Sequence, residues 1–335
     1  MWSDLNGDQV VQPNEINQSL IRSVTGFDPA NPAGLVSANT VDPGVSAPRT
    51  SEIVVGFGKE MAGGVGFNAS YVWRKYDNFL WQDTVGITSA DYSAVPFTPA
   101  ASACPTGARC DAVTYFVPNF TLPSAYLLTN RPDFRHVYNG LELVIRKRSS
   151  RGWMLNGSYS YNTTIESYDS ATAYEDPTNI VQRNGAQYAP SGGIGGGGGS
   201  NLAGIPISAK WIAKLNGSYR LPYGVNVAAT SDLRQGYPFA QADNIASRPN
   251  RAAAIAVLLD PVGSKRFTNF ATMDLRLDRA FKVGGTKLLP SFDMFNLFNA
   301  NTVMGRRTNQ NATNANQVFG ILAPRIARIG MMVTF

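Results

Sequence analysis

The last twelve residues, Pro324 to Phe335, alternate with a period of two. Ala327, Ile329, Met331, Val333 and Phe335 fall on one face; Ile326, Arg328, Gly330, Met332 and Thr334 fall on the other. Successive side chains of a strand point to opposite faces, so this is a strand with one uniformly apolar face and one mixed face. Such a strand needs an apolar neighbour, which is either a protein core or lipid. One strand does not choose between them, but repetition of the pattern along the chain does.

The pattern repeats. The spacing predicts strands over 50–61, 65–76, 136–149, 153–161, 208–221, 225–234, 270–282 and 287–298 ahead of the final one. Val65, Phe67, Ala69, Tyr71 and Trp73 share a face, as do Trp153, Leu155, Gly157, Tyr159 and Tyr161. Short turns rich in Gly fall near 62–64, 150–152, 222–224 and 283–286, and long irregular segments fall at 83–134, 165–206, 236–266 and 299–322. Pro290 is out of place in a paired strand and predicts a bulge. Long strands with short turns at one end and long loops at the other are the signature of an all-β, antiparallel transmembrane barrel. Its physical basis is that backbone groups in lipid must pair within the protein. Aromatic residues ending the apolar faces (Tyr71, Trp73, Trp153, Tyr159, Tyr161, Phe335) suit two interfacial girdles.

Charged residues make up 16% of the chain, against about a quarter in a soluble domain. No run reaches the ~18 apolar residues of a membrane helix, which is no argument against a barrel. The net charge of +6 is dispersed; its densest cluster is Arg146, Lys147, Arg148 and Arg151. That argues against nucleic acid as a partner and for outer-membrane lipid headgroups or lipopolysaccharide phosphates. The opening MWSDLNGDQV has neither the basic nor the apolar region of a leader. About nine strands place the two ends on opposite sides of the membrane, whereas single-chain bacterial barrels have even strand numbers. The expectation is therefore an incomplete barrel: residues 1–48 an extracellular loop, and residues 49–335 the carboxyl-terminal portion of a larger barrel.

Residues 4–15 match the spacing of a calcium-binding EF-hand loop. Asp4, Asn6 and Asp8 would offer side-chain oxygens, Val10 its carbonyl, Gln12 a side chain or a water, and Glu15 two oxygens. The sixth position is Gln9 where Gly is usual. A short exit helix is expected over 14–24, and the bound calcium would be structural. Cys104 and Cys110 bracket a turn and read as a local disulfide of an oxidising compartment, because two Cys and the single His136 are too few for a metal site. The run GGIGGGGGS at 192–200 reads as a surface loop, since no Lys-Ser/Thr follows it. No nucleophile–His–acid spacing or zinc motif is present, so the chain reads as no enzyme.

Three stretches carry a family resemblance: Tyr138-Asn-Gly-Leu-Glu-Leu143, Phe295-Asn296-Leu297-Phe298-Asn299, and Arg328-Ile-Gly-Met-Met-Val-Thr-Phe335. With the loop pattern they make residues 49–335 resemble the carboxyl-terminal part of a TonB-dependent receptor, with large loops similar to the Oar-like branch. The resemblance implies uptake of a scarce or bulky ligand through a plug-gated, energy-coupled barrel. It also implies a parent that supplies the missing amino-terminal strands and plug, partnership with TonB through that parent, and insertion by the barrel-assembly machinery. The closing-strand residues Ile329, Met331, Val333 and Phe335 would carry the assembly signal. The polar face, with Glu142, Arg146, Lys214, Asp232, Arg234, Asp274, Arg276, Asp278, Asp293 and Arg328, would line the lumen or meet the plug. A second reading uses the same wall for an outer-membrane adhesion or surface-assembly protein with calcium-stabilised loops.

Overall fold

The computed structural model describes residues 2–3, 5–9, 11–16, 38–187 and 209–335. The glycine-rich run 192–200, most of the expected exit helix, and the expected calcium ligands Asp4 and Val10 lie outside the described residues.

Ten strands form one antiparallel meander. They are β1 (Arg49–Met61), β2 (Val65–Asp77), β3 (Phe134–Ser150), β4 (Trp153–Tyr168), β5 (Trp211–Arg220), β6 (Val225–Arg234), β7 (Phe270–Arg279), β8 (Phe281–Val283), β9 (Thr286–Phe295) and β10 (Ile326–Thr334). β7 and β8 are one long strand interrupted at Ala280, and both pair with β9. The interruption lies across from Pro290, which has no N–H to give the ladder. β4 runs on to Tyr168, beyond its alternating stretch, because His136 and Phe134 on β3 continue the pairing to Glu166 and Tyr168. The predicted strand 287–298 stops at Phe295 instead. Asn296 and Asn299 both turn with positive φ, and the Asn296 side chain is bonded to both backbone groups of Ala300 and to the Ala323 carbonyl.

Register places the apolar side chains in rows across the sheet. One row is Val55, Tyr71, Leu141, Tyr161 and Trp211. The other is Trp153, Tyr219, Val227, Leu277, Phe292 and Ile329. Tyr161 and Trp153 both lie on β4, which separates the two rows by about 27 Å along the strand. At the ~40° tilt of outer-membrane strands this is about 20 Å of height, close to the ~25 Å apolar band of such barrels.

The turns are tight at one end of the sheet. Arg151 and Gly152 close the β3–β4 hairpin with φ of 52° and 81°, the conformation that suits two-residue hairpins. Lys147, from the densest cationic cluster, is folded into this end: its ammonium caps the Arg148 carbonyl at 2.7 Å and lies 4.7 Å from the Trp153 ring centroid. The sheet is open. Among the described residues β1 pairs only with β2, and β10 only with β9.

The other end differs from the expected irregular loops. Strands 92–97 and 113–118 pair, as do 242–245 with 255–258 and 303–306 with 318–321. Strands 80–84 and 126–130 pair as well, and Thr40–Val41 adds alongside in parallel. Most of the deeply buried side chains among the described residues lie here or at the adjoining strand ends, including Ala173, Ala242, Asp243, Val257, Leu258 and Gln310.

Candidate functional site

The expected lumen-facing residues do not act as a set of free charges. Arg328, Asp293, Arg276 and Asp278 form one ladder across β10, β9 and β7. Asp293 Oδ2 accepts from Arg328 at 3.0 and 3.1 Å, and its Oδ1 accepts from Arg276 Nη1 at 2.9 Å. Arg276 Nε also donates to Asp278 at 3.1 Å, and Asn226 on β6 donates to Asp278 at 2.9 Å. Asp274 accepts the Asn296 backbone N–H at 2.8 Å and so fixes the turn after β9. The Arg234 guanidinium lies 4.3 Å from the ring centroids of both Tyr237 and Phe270. Lys214 stands across from Asp232 in register, and Glu142 and Arg146 are exposed on β3. The closing-strand residues Ile329, Met331, Val333 and Phe335 are exposed.

Replacing Asp293 with Ala leaves two guanidinium groups without their shared acceptor. The arginine side chains are 40% and 62% exposed, so water recovers part of the loss. Asp293→Ala is expected to lower the urea midpoint in detergent more than Arg328→Ala, because it unpairs two guanidinium groups rather than one carboxylate contact.

The loop layer is held by polar side chains that reach between loops. The turn closed by the Cys104–Cys110 disulfide carries Arg109. Arg109 Nη1 donates to Asp260 at 2.7 Å, and its backbone N–H donates to Gln310 Oε1 at 3.0 Å. Lys265 approaches the same Asp260 at 2.7 Å, and Asn316 donates to the Gly107 carbonyl at 2.8 Å. Arg248, its side chain 6% exposed, donates to the carbonyls of Phe116 and Ala253 and to Asp176 at 2.7–2.8 Å. Asn179 donates to the Ala256 carbonyl and accepts from the Leu258 N–H, both at 2.7 Å. At Tyr92, burial pushes the phenol up and nearby Glu175 and Asp176 push it further.

Asp243 is the anomaly of this layer. It is fully buried, and neither carboxylate oxygen makes a well-aligned hydrogen bond among the described residues, the Asn311 backbone N–H being its one weak donor there. Burial raises its pKa and Asp111 adds to the rise, with Arg109 and the Asn311 backbone N–H opposing. A raised carboxyl pKa costs nothing below the unfolded value near ~3.9. The cost grows as pH rises from there and is complete above the folded value. Asp243→Asn is therefore expected to stabilise the layer at neutral pH and to remove this part of the pH dependence. Urea titrations at pH 4 and pH 7 measure both effects.

Beside Asp243, the hairpins 242–258 and 303–321 enclose a groove of about 740 Å³. It is lined by Asn244, Ile255, Arg306, Arg307, Asn309 and Phe319 among others. No sequence signal marks it beyond the adjacent arginines at 306–307.

At the amino terminus, the described members of the expected calcium loop converge. Glu15 is buried, and its two oxygens accept from the N–H groups of Leu5 and Gln12 at 2.8 and 3.1 Å. Asp8 accepts from the side-chain amides of Asn6 and Gln12 at 2.8 and 2.7 Å. Gln9 has φ of 60°, so it adopts the left-handed turn that Gly usually supplies at this place. The side chains carry the oxygens a hard cation needs, but Asp8 Oδ2 is filled by its two amide donors, so a cation fits only with the Asn6 and Gln12 amides turned to present their oxygens. Among the described residues no cluster of three or more His, Cys, Asp or Glu is close enough to hold a metal.

Residues 4–226, well over half the chain, match the model of the outer membrane beta barrel domain family. No curated protein matches the chain. Among solved structures the chain is similar to the outer membrane transporter YddB from Escherichia coli, with 15% identity and a TM-score of 0.45 over 89% of this chain and 35% of that one. It is also similar to the FrpB iron transporter from Neisseria meningitidis, with 15% identity and a TM-score of 0.42 over 88% and 32%. A third is the ferripyoverdine receptor of the Pseudomonas aeruginosa outer membrane, with 12% identity and a TM-score of 0.42 over 85% and 26%. The chain thus spans about a third or less of the length of each.

Proposed function

Since the chain belongs to the outer membrane beta barrel domain family and lies in the bacterial outer membrane, we propose that it is the carboxyl-terminal wall and outer loop layer of a TonB-dependent transporter. The observation that carries this reading is the division of labour along each strand. The wall buries little and stands open at β1 and β10, while the loops above it are tied into one cross-braced body. Further strands from the parent would complete the wall. A plug inside would face the ladder from Arg328 to Asp278 and would be moved by TonB from the periplasmic side. The charge ladder gives that face a fixed polar surface.

The test compares cells with and without the native protein, with and without a protonophore, for depletion of solutes from a defined medium. The reading expects at least one solute to be taken up only by energised cells that carry the protein. Binding of a surface partner that ignores the protonophore, with no solute taken up, would favour adhesion instead.

The amino-terminal loop is assigned to calcium, held by Asp4, Asn6, Asp8, Val10, Gln12 and Glu15. Its role is to fix the entry segment rather than to sense. Calcium is expected to protect the peptide bonds of this loop from protease in the native protein, and Glu15→Gln to abolish the protection. Equal cleavage with calcium and with chelator would remove the assignment.

A further inference from the structure

The groove between hairpins 242–258 and 303–321 has a chemical character of its own. Arg306 and Arg307 enter it side by side, and no acidic side chain lines it. Neither arginine has a carboxylate partner among the described residues, in a layer where Arg109 and Arg248 are both paired. Arg306 Nε is buried with no acceptor. Asn309 Oδ1, also in the lining, is buried with no donor. Buried polar atoms without partners are uncommon and costly, by about 1–3 kcal/mol each. Here one donor and one acceptor are left together in a single groove. Its volume of about 740 Å³ suits a small organic molecule.

The walls are held in advance of any ligand. Ala242 N–H donates to the Thr308 carbonyl at 3.2 Å, and Gln310 N–H returns to the Ala242 carbonyl at 2.8 Å. Asn311 bonds both backbone groups of Asn244 at 2.9 Å. Phe319 lies flat against the strand because Gly305 has no Cβ; an added Cβ would stand 2.6 Å from its ring. Arg307 stacks over that ring at 5.2 Å. The groove therefore offers two cations over an apolar floor of Phe319 and Ile255, and the Asn309 amide must rotate to bring its buried oxygen to a ligand.

The geometry points to a binding site for a small diffusible anion that carries a hydroxyl group, a phosphate or carboxylate bound by Arg306 and Arg307 with its hydroxyl donated to Asn309. This assignment rests on reading the loop layer as the receptor face. It names the ligand class that face takes.

The experiment uses the native protein in phospholipid nanodiscs and two probes of matched size. Glucose 6-phosphate has both anion and hydroxyls; cyclohexylmethyl phosphate keeps the ring and phosphate without hydroxyls. Calorimetric titration is expected to show saturable binding of the first and about tenfold weaker binding of the second. Arg306→Gln is expected to weaken both about tenfold or more, Arg306→Lys less so, and Asn309→Leu to erase the difference between the probes. Arg251→Gln, which removes an exposed cation elsewhere in the layer, is expected to change nothing. Hydrogen exchange at Val257 and Leu258 verifies that each variant keeps its loops.

No saturable binding by the wild type would overturn the assignment. So would equal losses in Arg306→Gln and Arg251→Gln. Stoichiometric displacement of glucose 6-phosphate by lipopolysaccharide micelles would assign the cations to a lipid headgroup and overturn the diffusible ligand. Solute uptake that depends on energy but not on Arg306 would sink this inference and leave the transporter reading standing. Binding without uptake would do the reverse.

Discussion

Arg248→Ala is expected to release the outer loop layer while leaving the wall intact. The side chain is 6% exposed and ties together the loops around Phe116, Asp176 and Ala253. Truncation strands the Asp176 carboxylate and two carbonyl groups at the centre of the layer. Removing one partner of a buried ion pair costs about 3–5 kcal/mol, because the remaining charge loses its partner without regaining full hydration. Local opening at the lower end of that range becomes about a hundredfold more frequent. Backbone hydrogen exchange is the measurement. The amides of Val257 and Leu258 should exchange about a hundredfold faster, while those of Leu143 and Leu215 in the wall should not change. A uniform acceleration across loops and wall would mean that the layer and the wall open together.

Gly236→Ala is the second large effect, and it acts through the backbone. Gly236 lies in the neck where the chain leaves β6, and residues 267–269 return to β7 beside it. An added Cβ would sit 1.8 Å from the Phe267 carbonyl oxygen and 2.7 Å from that of Thr268. The two segments are joined there by Phe267 N–H to the Tyr237 carbonyl at 3.0 Å and by Gly236 N–H to Asn269 at 3.2 Å. The Arg266 guanidinium also donates to the Gly236 carbonyl, at 3.1 Å. A methyl group must separate the segments and break these bonds. Overpacking of this kind costs about 3 kcal/mol, and the atoms in the way are main chain with no rotamer to change. Urea unfolding in detergent should show the loss, and the yield of folded protein in outer membranes should fall with it. A midpoint unchanged from the wild type would contradict the close approach at this neck.

These two positions mark where sequence reading reaches its limit. The wall was legible because lipid on one side and water on the other impose a period of two on every strand. Each hairpin from Arg49 to Thr334 repeats that constraint. At Pro290 the expected bulge did not form: the register runs on unchanged past it, and the missing N–H shows instead as the interruption of the facing strand at Ala280. The loop layer has no such external constraint. Its partners are set by single contacts between segments far apart in sequence, such as Arg109 with Gln310 or Arg248 with Phe116. Nothing local in the sequence pairs them. Some of its turns were there to be read: Pro249-Asn250 lies between two short apolar runs, and Asn250 turns with φ of 59°. The candidate lumen residues were legible as a polar face, but the joining of four of them into one ladder depended on register, which puts Asp293 between Arg276 and Arg328. Asp243 and the groove beside it were not legible. An aspartate in a loop reads as solvated until the fold buries it.

The central claim is that this chain is one section of a larger transporter wall crowned by a self-supporting loop layer. The most direct test is the intact mass of the native protein in purified outer membranes, with peptide mapping on the amino-terminal side of Met1. The account predicts a species much heavier than the 335-residue chain, with peptides from further strands and a plug. A membrane species that begins at Met1 would contradict it, and the open edges at β1 and β10 would then have to be closed by other copies of the same chain.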